Sequence, residues 1–98
     1  MTEGEMTEKL ERLQDTDDDA ERNSLALELS ETGDLSVFAT LVKLIQHPEL
    51  ENRRGTLVHC LENYVCSAIA SLLAELAETG NFEVASQAEI ILDEQALR

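Results

Sequence analysis

Aromatic side chains are nearly absent from this chain: 98 residues hold no Trp, one Tyr and two Phe, 3% in all. An aromatic pocket for a tetrapyrrole has little to draw on. Cations are scarce as well, seven Lys and Arg against 21 Asp and Glu, for a formal charge of -14. That charge repels phosphate backbones and anionic lipid, so nucleic acid and membrane surfaces are poor partners. No apolar run approaches the roughly 20 residues of a membrane-spanning helix, and the start MTEGEMTEKLER lacks the basic-then-apolar plan of a secretory signal. A cytoplasmic location is expected. The two cysteines, Cys60 and Cys66, are too few and too close to staple a secreted scaffold, so they are expected as buried, reduced thiols. A chain this short has room for one core, a single domain over residues 1–98.

With only one Pro and four Gly to interrupt it, the sequence repeats Leu and Ala at three- and four-residue spacing, the period of helices rather than strands. The expected fold is all-α, with six amphipathic stretches. Met6, Leu10 and Leu13 make a narrow stripe in the first, which ends at the run DTDDD. Asp19 is placed to cap the second, where Leu25, Ala26 and Leu29 point one way before Gly33 stops the helix. Ser36 is placed to cap a third containing Phe38, Leu41, Val42 and Ile45, and Pro48 bars its continuation. The fourth is expected from about Glu51, with Leu57, Val58, Cys60, Leu61 and Tyr64 on its apolar side. Ser67 opens a fifth with Ile69, Leu72, Leu73 and Leu76, closed by Gly80, and the sixth carries Val84, Ala88, Ile91 and Leu92. Connections this short reverse the chain, so consecutive helices should pair antiparallel.

The stretches also repeat. SVFATLVKLI at 36 lies over SAIASLLAEL at 67 at an offset of 31, which also sets Arg22 over Arg53 and Leu29 over Cys60. ELENRRGTLVHCLE at 49 lies over NFEVASQAEIILDE at 81 at an offset of 32, and LALELSETGDLSV at 25 over LLAELAETGNFEV at 72 at 47. One helix plus its turn is the elementary unit, two and three of which give these offsets.

SVFATLVKLIQHPELENRRGTLVHCLEN followed by SAIASLLAELAETGNFEVASQAEIILDE resembles consecutive HEAT repeats, over about residues 20 to 94. In that family a Leu-rich first helix, a turn with Pro or Gly, and a second helix opening on an acidic residue and a Val-Arg-Arg-like triplet form the unit. Glu51, Asn52, Arg53 and Arg54 look like that opening, with Asn52 replacing the aliphatic residue. Glu83 and Val84 match it in the last unit, where Ala85 and Ser86 replace the arginines. The resemblance implies a short right-handed α-α superhelix of about six helices in three antiparallel pairs: an N-terminal capping pair over 1–33, a middle repeat over 34–64 and a C-terminal repeat over 65–98. End units of a solenoid must show water a polar face. The polar surroundings of Met6, Leu10 and Leu13, and the tail DEQALR, are expected to supply it.

The sequence offers little to chemistry. If Asp15 began a calcium loop, Ala20 would stand where the turn glycine belongs and Ala26 where the bidentate Glu belongs. His47, His59, Cys60 and Cys66 include zinc-ligand types, but adjacent side chains on a helix diverge by about 100° and the spacing fits no closed site. His47 beside Pro48 reads as a turn residue. His59 next to Cys60 does not face it, and no glycine-rich phosphate loop is present. No enzyme, cofactor or metal is therefore expected. Phe38 and Phe82 are expected as core or loop anchors.

The remaining signal is basic. Arg53 and Arg54 interrupt an acidic field, and Arg53, with Arg22 one repeat earlier, is placed to pair with Asp19, Glu49 or Glu51. The expected partner-binding surface is the exposed face of the second helices, with Arg53, Arg54, His59, Glu62 and Asn63 on it and Tyr64 at its rim. The function expected is non-catalytic binding of another polypeptide. The alternative is an acidic immunity or inhibitor protein that neutralises a basic enzyme such as a nuclease toxin, its carboxylates standing where phosphates would bind. A homodimer is compatible with so small a domain.

Overall fold

The computed structural model describes residues 1–97. Among them are six α-helices and three 3-10 turns: α1 (Glu3–Asp15), α2 (Asp19–Ser30), α3 (Leu35–Ile45), a turn at Pro48–Leu50, α4 (Gly55–Cys60) continued by a turn at Leu61–Asn63, a turn at Ser67–Ile69, α5 (Ala70–Thr79) and α6 (Phe82–Glu94). No strand occurs among the described residues, and no helix there is long and apolar enough to cross a membrane. Each odd helix packs on the even one after it, giving three pairs. The second helices α2, α4 and α6 contact one another in that order, the arrangement of repeats laid side by side. In the other layer α1 touches α3, while α3 and α5 diverge around an open cleft of about 220 Å³ between Ile45, Gln46, Leu72 and Thr79.

Local chemistry sets the ends of these helices. Asp18, rather than the expected Asp19, caps α2 by accepting from the Glu21 amide at 3.1 Å, which frees Asp19 for Arg22 at 2.5 Å. Asp34, rather than Ser36, caps α3, because its carboxylate accepts both the amide and the hydroxyl of Ser36, at 2.8 and 2.5 Å. Gly33 stands at φ +71° after α2, a left-handed position that suits glycine. The largest departure is α4. It starts at Gly55, not near Glu51, because the chain first winds through the 3-10 turn that Pro48 opens, where Leu50 is buried and its carbonyl takes the Arg53 amide at 2.8 Å. The fifth stretch likewise opens as a 3-10 turn at Ser67, with α5 itself beginning at Ala70.

The core follows the helical period closely. Leu13, Leu29, Val37, Leu41, Ile45, Leu57, Val58, Leu61, Leu73, Val84 and Ile91 are fully enclosed, each such burial being worth about 1.5 to 3 kcal/mol. Cys60 and Cys66 are buried free thiols, as expected, and burial pushes both up from the ordinary 9.0. The polar end expected at the C-terminal side is incomplete: Phe82, read as an anchor, stands 89% exposed on α6 because the helix begins with that residue facing away from α4 and α5. Arg98, the last residue of the DEQALR tail, lies outside the described residues.

Candidate functional site

A face made of second helices needs those helices fixed to one another, and polar side chains do this. Asp19 at the start of α2 receives Arg22 from its own helix and Arg53, at 3.4 Å, from the segment before α4. These guanidinium groups hold the Asp19 carboxyl below the ordinary 3.8, the Arg22 hydrogen bond contributing most. Arg22 is buried and also donates to the Thr16 carbonyl at 2.9 Å, so it ties α2 to the end of α1. Between α4 and α6, Gly55 leaves room for Glu83, whose carboxylate lies where a β-carbon would stand; a larger residue there would turn that exposed, flexible side chain aside. Asp19, Asn23, Asn52, Arg53, Thr56 and Glu83 line a shallow groove of about 150 Å³ with Gly55 on its floor.

The six residues expected to meet a partner divide into two groups. Arg53 is half-exposed and engaged twice, with Asp19 and with the Glu49 carbonyl at 2.9 Å, which matches the pairing expected for it. Arg54 turns inward, donating from Nη1 to the Ile45 carbonyl at 2.8 Å, and so satisfies one of the open carbonyls at the end of α3. Asn63 donates to the Ser30 hydroxyl at 3.2 Å and the Cys60 carbonyl at 3.3 Å, joining the end of α4 to the end of α2. Tyr64 is not at a rim. It is 7% exposed, stacks at a tilt on Phe38 with ring centroids 5.1 Å apart, and its hydroxyl donates to the Asp34 carbonyl at 3.2 Å. Burial accordingly raises its phenol above the ordinary 10.0. His59 and Glu62 form the second group: the imidazole is about half exposed, 3.4 Å from Gln87 of α6 and 3.7 Å from the Glu62 carboxylate.

Two features of this face were not anticipated from sequence. Gln95 clamps the connection after α4, its amide donating to the Tyr64 carbonyl at 2.9 Å and accepting the Cys66 amide at 2.8 Å. Leu27 of α2 and Ile90 of α6 stay 45% and 40% exposed among polar neighbours. Their periodicity gives no warning, since each lies beside core positions of its own helix.

Charge is distributed unevenly over the pairs. Residues 1–33 hold eleven carboxylates and three cations, residues 34–64 four and three, and residues 65–98 six and one. In the first pair the cations are taken up between helices: Lys9 pairs with Glu28, and Arg12 with Glu21 at 2.7 Å. Glu28 raises Lys9 above the ordinary 10.5, while Thr16 and then Arg12 lower Glu21 below 4.5. An open cleft of about 350 Å³ between α1 and α2 is lined by Glu8, Glu11, Asp15, Glu21, Arg12 and Thr16. Among the described residues no group of three or more His, Cys, Asp or Glu is arranged to hold a metal ion. His47 accepts the Glu49 amide at 3.3 Å and so serves the turn at Pro48. No family model, curated protein or solved structure matches the chain.

Proposed function

We propose that the protein is a non-catalytic binding module, a short HEAT-like array that engages another polypeptide through the outer face of α2, α4 and α6. The observation that carries this reading is the unbroken row of second helices, α2 tied to the α4 region by Asp19 with Arg53 and Ser30 with Asn63, and α4 packed on α6. Such a row offers a partner a surface that needs no reordering on binding, which removes one cost of association. On it, His59, Glu62 and Thr56 are the groups left to make contacts, flanked by the apolar Leu27 and Ile90. Arg53, Arg54, Asn63 and Tyr64 contribute by fixing the shape of the face.

The test is a combined His59→Ala, Glu62→Ala, Thr56→Ala variant, used as bait beside the wild type in affinity capture from the source cell. Binding partners should be lost while the circular-dichroism melt stays close to wild type. An identical set of partners would remove this face from the reading.

The uneven charge supports the second reading, neutralisation of a basic enzyme. The cations of the first pair are engaged internally, so its outward field is strongly acidic, and such a field speeds encounter with a cationic partner. Affinity for that enzyme should drop steeply as salt is raised. Binding that held its strength at high salt would rule out carboxylates as the recognition element.

A further inference from the structure

We propose that the outer stripe of α6, along Phe82, Ser86 and Ile90, docks a positively charged amphipathic helix of another protein. The inference rests on the protein-binding reading, and gives it a partner class and the part of the face that partner meets. The three residues are four apart and form one stripe of the helix. Phe82 is 89% exposed and Ile90 40%, whereas Val84, Ala88, Ile91 and Leu92 are buried on the side that meets α4 and α5.

Charge complementarity selects the occupant. Glu83 and Glu94 are exposed on the same helix, and residues 65–98 carry six carboxylates to one cation. An apolar strip with an acidic border suits a helix with Leu-like anchors flanked by Lys or Arg. A second copy of this chain fits badly, because a two-fold contact would set Glu83 and Glu94 against their own counterparts and bring together two charges of -14.

The experiment titrates isotope-labelled protein with a synthetic amphipathic helix of about 18 residues built from Leu and Lys, beside a Leu and Glu helix of the same pattern. Amide shifts are expected to gather on α6, and the Phe82→Ser, Ile90→Ser double variant is expected to bind roughly tenfold more weakly with an unchanged melt. That variant keeps the net charge, so diffuse attraction of a cation to an acidic protein would not be affected. Phe82→Ser alone, at the most exposed of the large apolar side chains, gives the same readout should the double variant melt early. Equal affinity in the variants, binding of the acidic helix, or a dimer in sedimentation that Phe82→Ser dissolves would overturn the proposal. Shifts gathered on Thr56, His59 and Glu62 would overturn it too, while leaving the α4 part of the second-helix face standing as the binding site.

Discussion

The first and middle helix pairs follow one plan and are held by different forces. In the first, α1 buries only Leu13 completely, Met6 and Leu10 pack partly, and the helices are bridged by Lys9 with Glu28 and Arg12 with Glu21 at the surface. In the middle pair, Val37, Leu41, Leu44, Ile45, Leu50, Leu57, Val58, Cys60, Leu61 and Tyr64 are buried, and the polar groups reach backbone carbonyls of neighbouring elements. Exposed ion pairs contribute at most about 1 kcal/mol, and burial of a large apolar side chain about 1.5 to 3. The middle pair is therefore the keystone, and the first pair an acidic cover set against it.

The sharpest way to break this comparison is a matched pair of truncations. Leu57→Ala should destabilise the whole domain by about 2 to 5 kcal/mol in a urea titration, and make both buried thiols reactive. Met6→Ala, in the half-packed stripe of α1, should cost clearly less and speed hydrogen exchange only in α1. Equal costs would mean that α1 belongs to the same cooperative unit as the keystone. Next comes Tyr64→Phe, which keeps the ring on Phe38 but removes the donor to Asp34; a loss of about 1 kcal/mol in thermal melts is expected.

A smaller effect of opposite sign is expected at the far end. Leu97 donates to the Leu92 carbonyl at 2.9 Å and Ala96 to that of Asp93 at 3.3 Å, a helix ending that places Ala96 at φ +52°. Ala96→Gly should relieve that strain and raise stability by about 0.5 to 1 kcal/mol in the same melts.

The last prediction separates the pairs by pH. Asp19, Glu21 and Asp34 have lowered pKa values, so what they contribute is complete above the ordinary 3.8 to 4.5 and lost as pH falls through their folded values. Glu21 and Asp19 hold α1 and α2, while in the middle pair only Asp34, the cap of α3, is so affected, so acid should loosen the first pair most. Cys60, Cys66 and Tyr64 are raised, so their contribution is complete below the ordinary 9.0 to 10.0 and declines as pH climbs past it. Alkali should therefore act on the middle pair and on the connection that follows it at Cys66, with the Lys9 to Glu28 bridge failing only above 10.5. Residue-resolved NMR across both limbs would show the order; simultaneous loss of both pairs at either limb would defeat it.

Much of the fold was legible because helical periodicity is a local property. Gly33, Pro48 and Gly80 mark real boundaries, and the apolar positions chosen for α3, α5 and α6 are the ones that pack. The start of α4 was misjudged because Glu51 to Arg54 satisfies a helical pattern equally well, and only the turn that buries Leu50 decides against it. The binding surface was the least legible part. Arg54 and Tyr64 have the residue types of contact hot spots, yet their partners, Ile45 and Asp34, lie in an earlier helix and its cap.

By itself the sequence determined that the chain is helical, about where each helix stops, which side of it is apolar, and that the molecule is acidic. Each of these depends on neighbours within a few turns. Tertiary structure decided which polar side chains are consumed in holding α2, α4 and α6 together and which remain for a partner. A side chain's fate is set by what stands beside it in space: Glu83 settles over Gly55, Tyr64 disappears beneath Phe38, and Phe82 is left facing water.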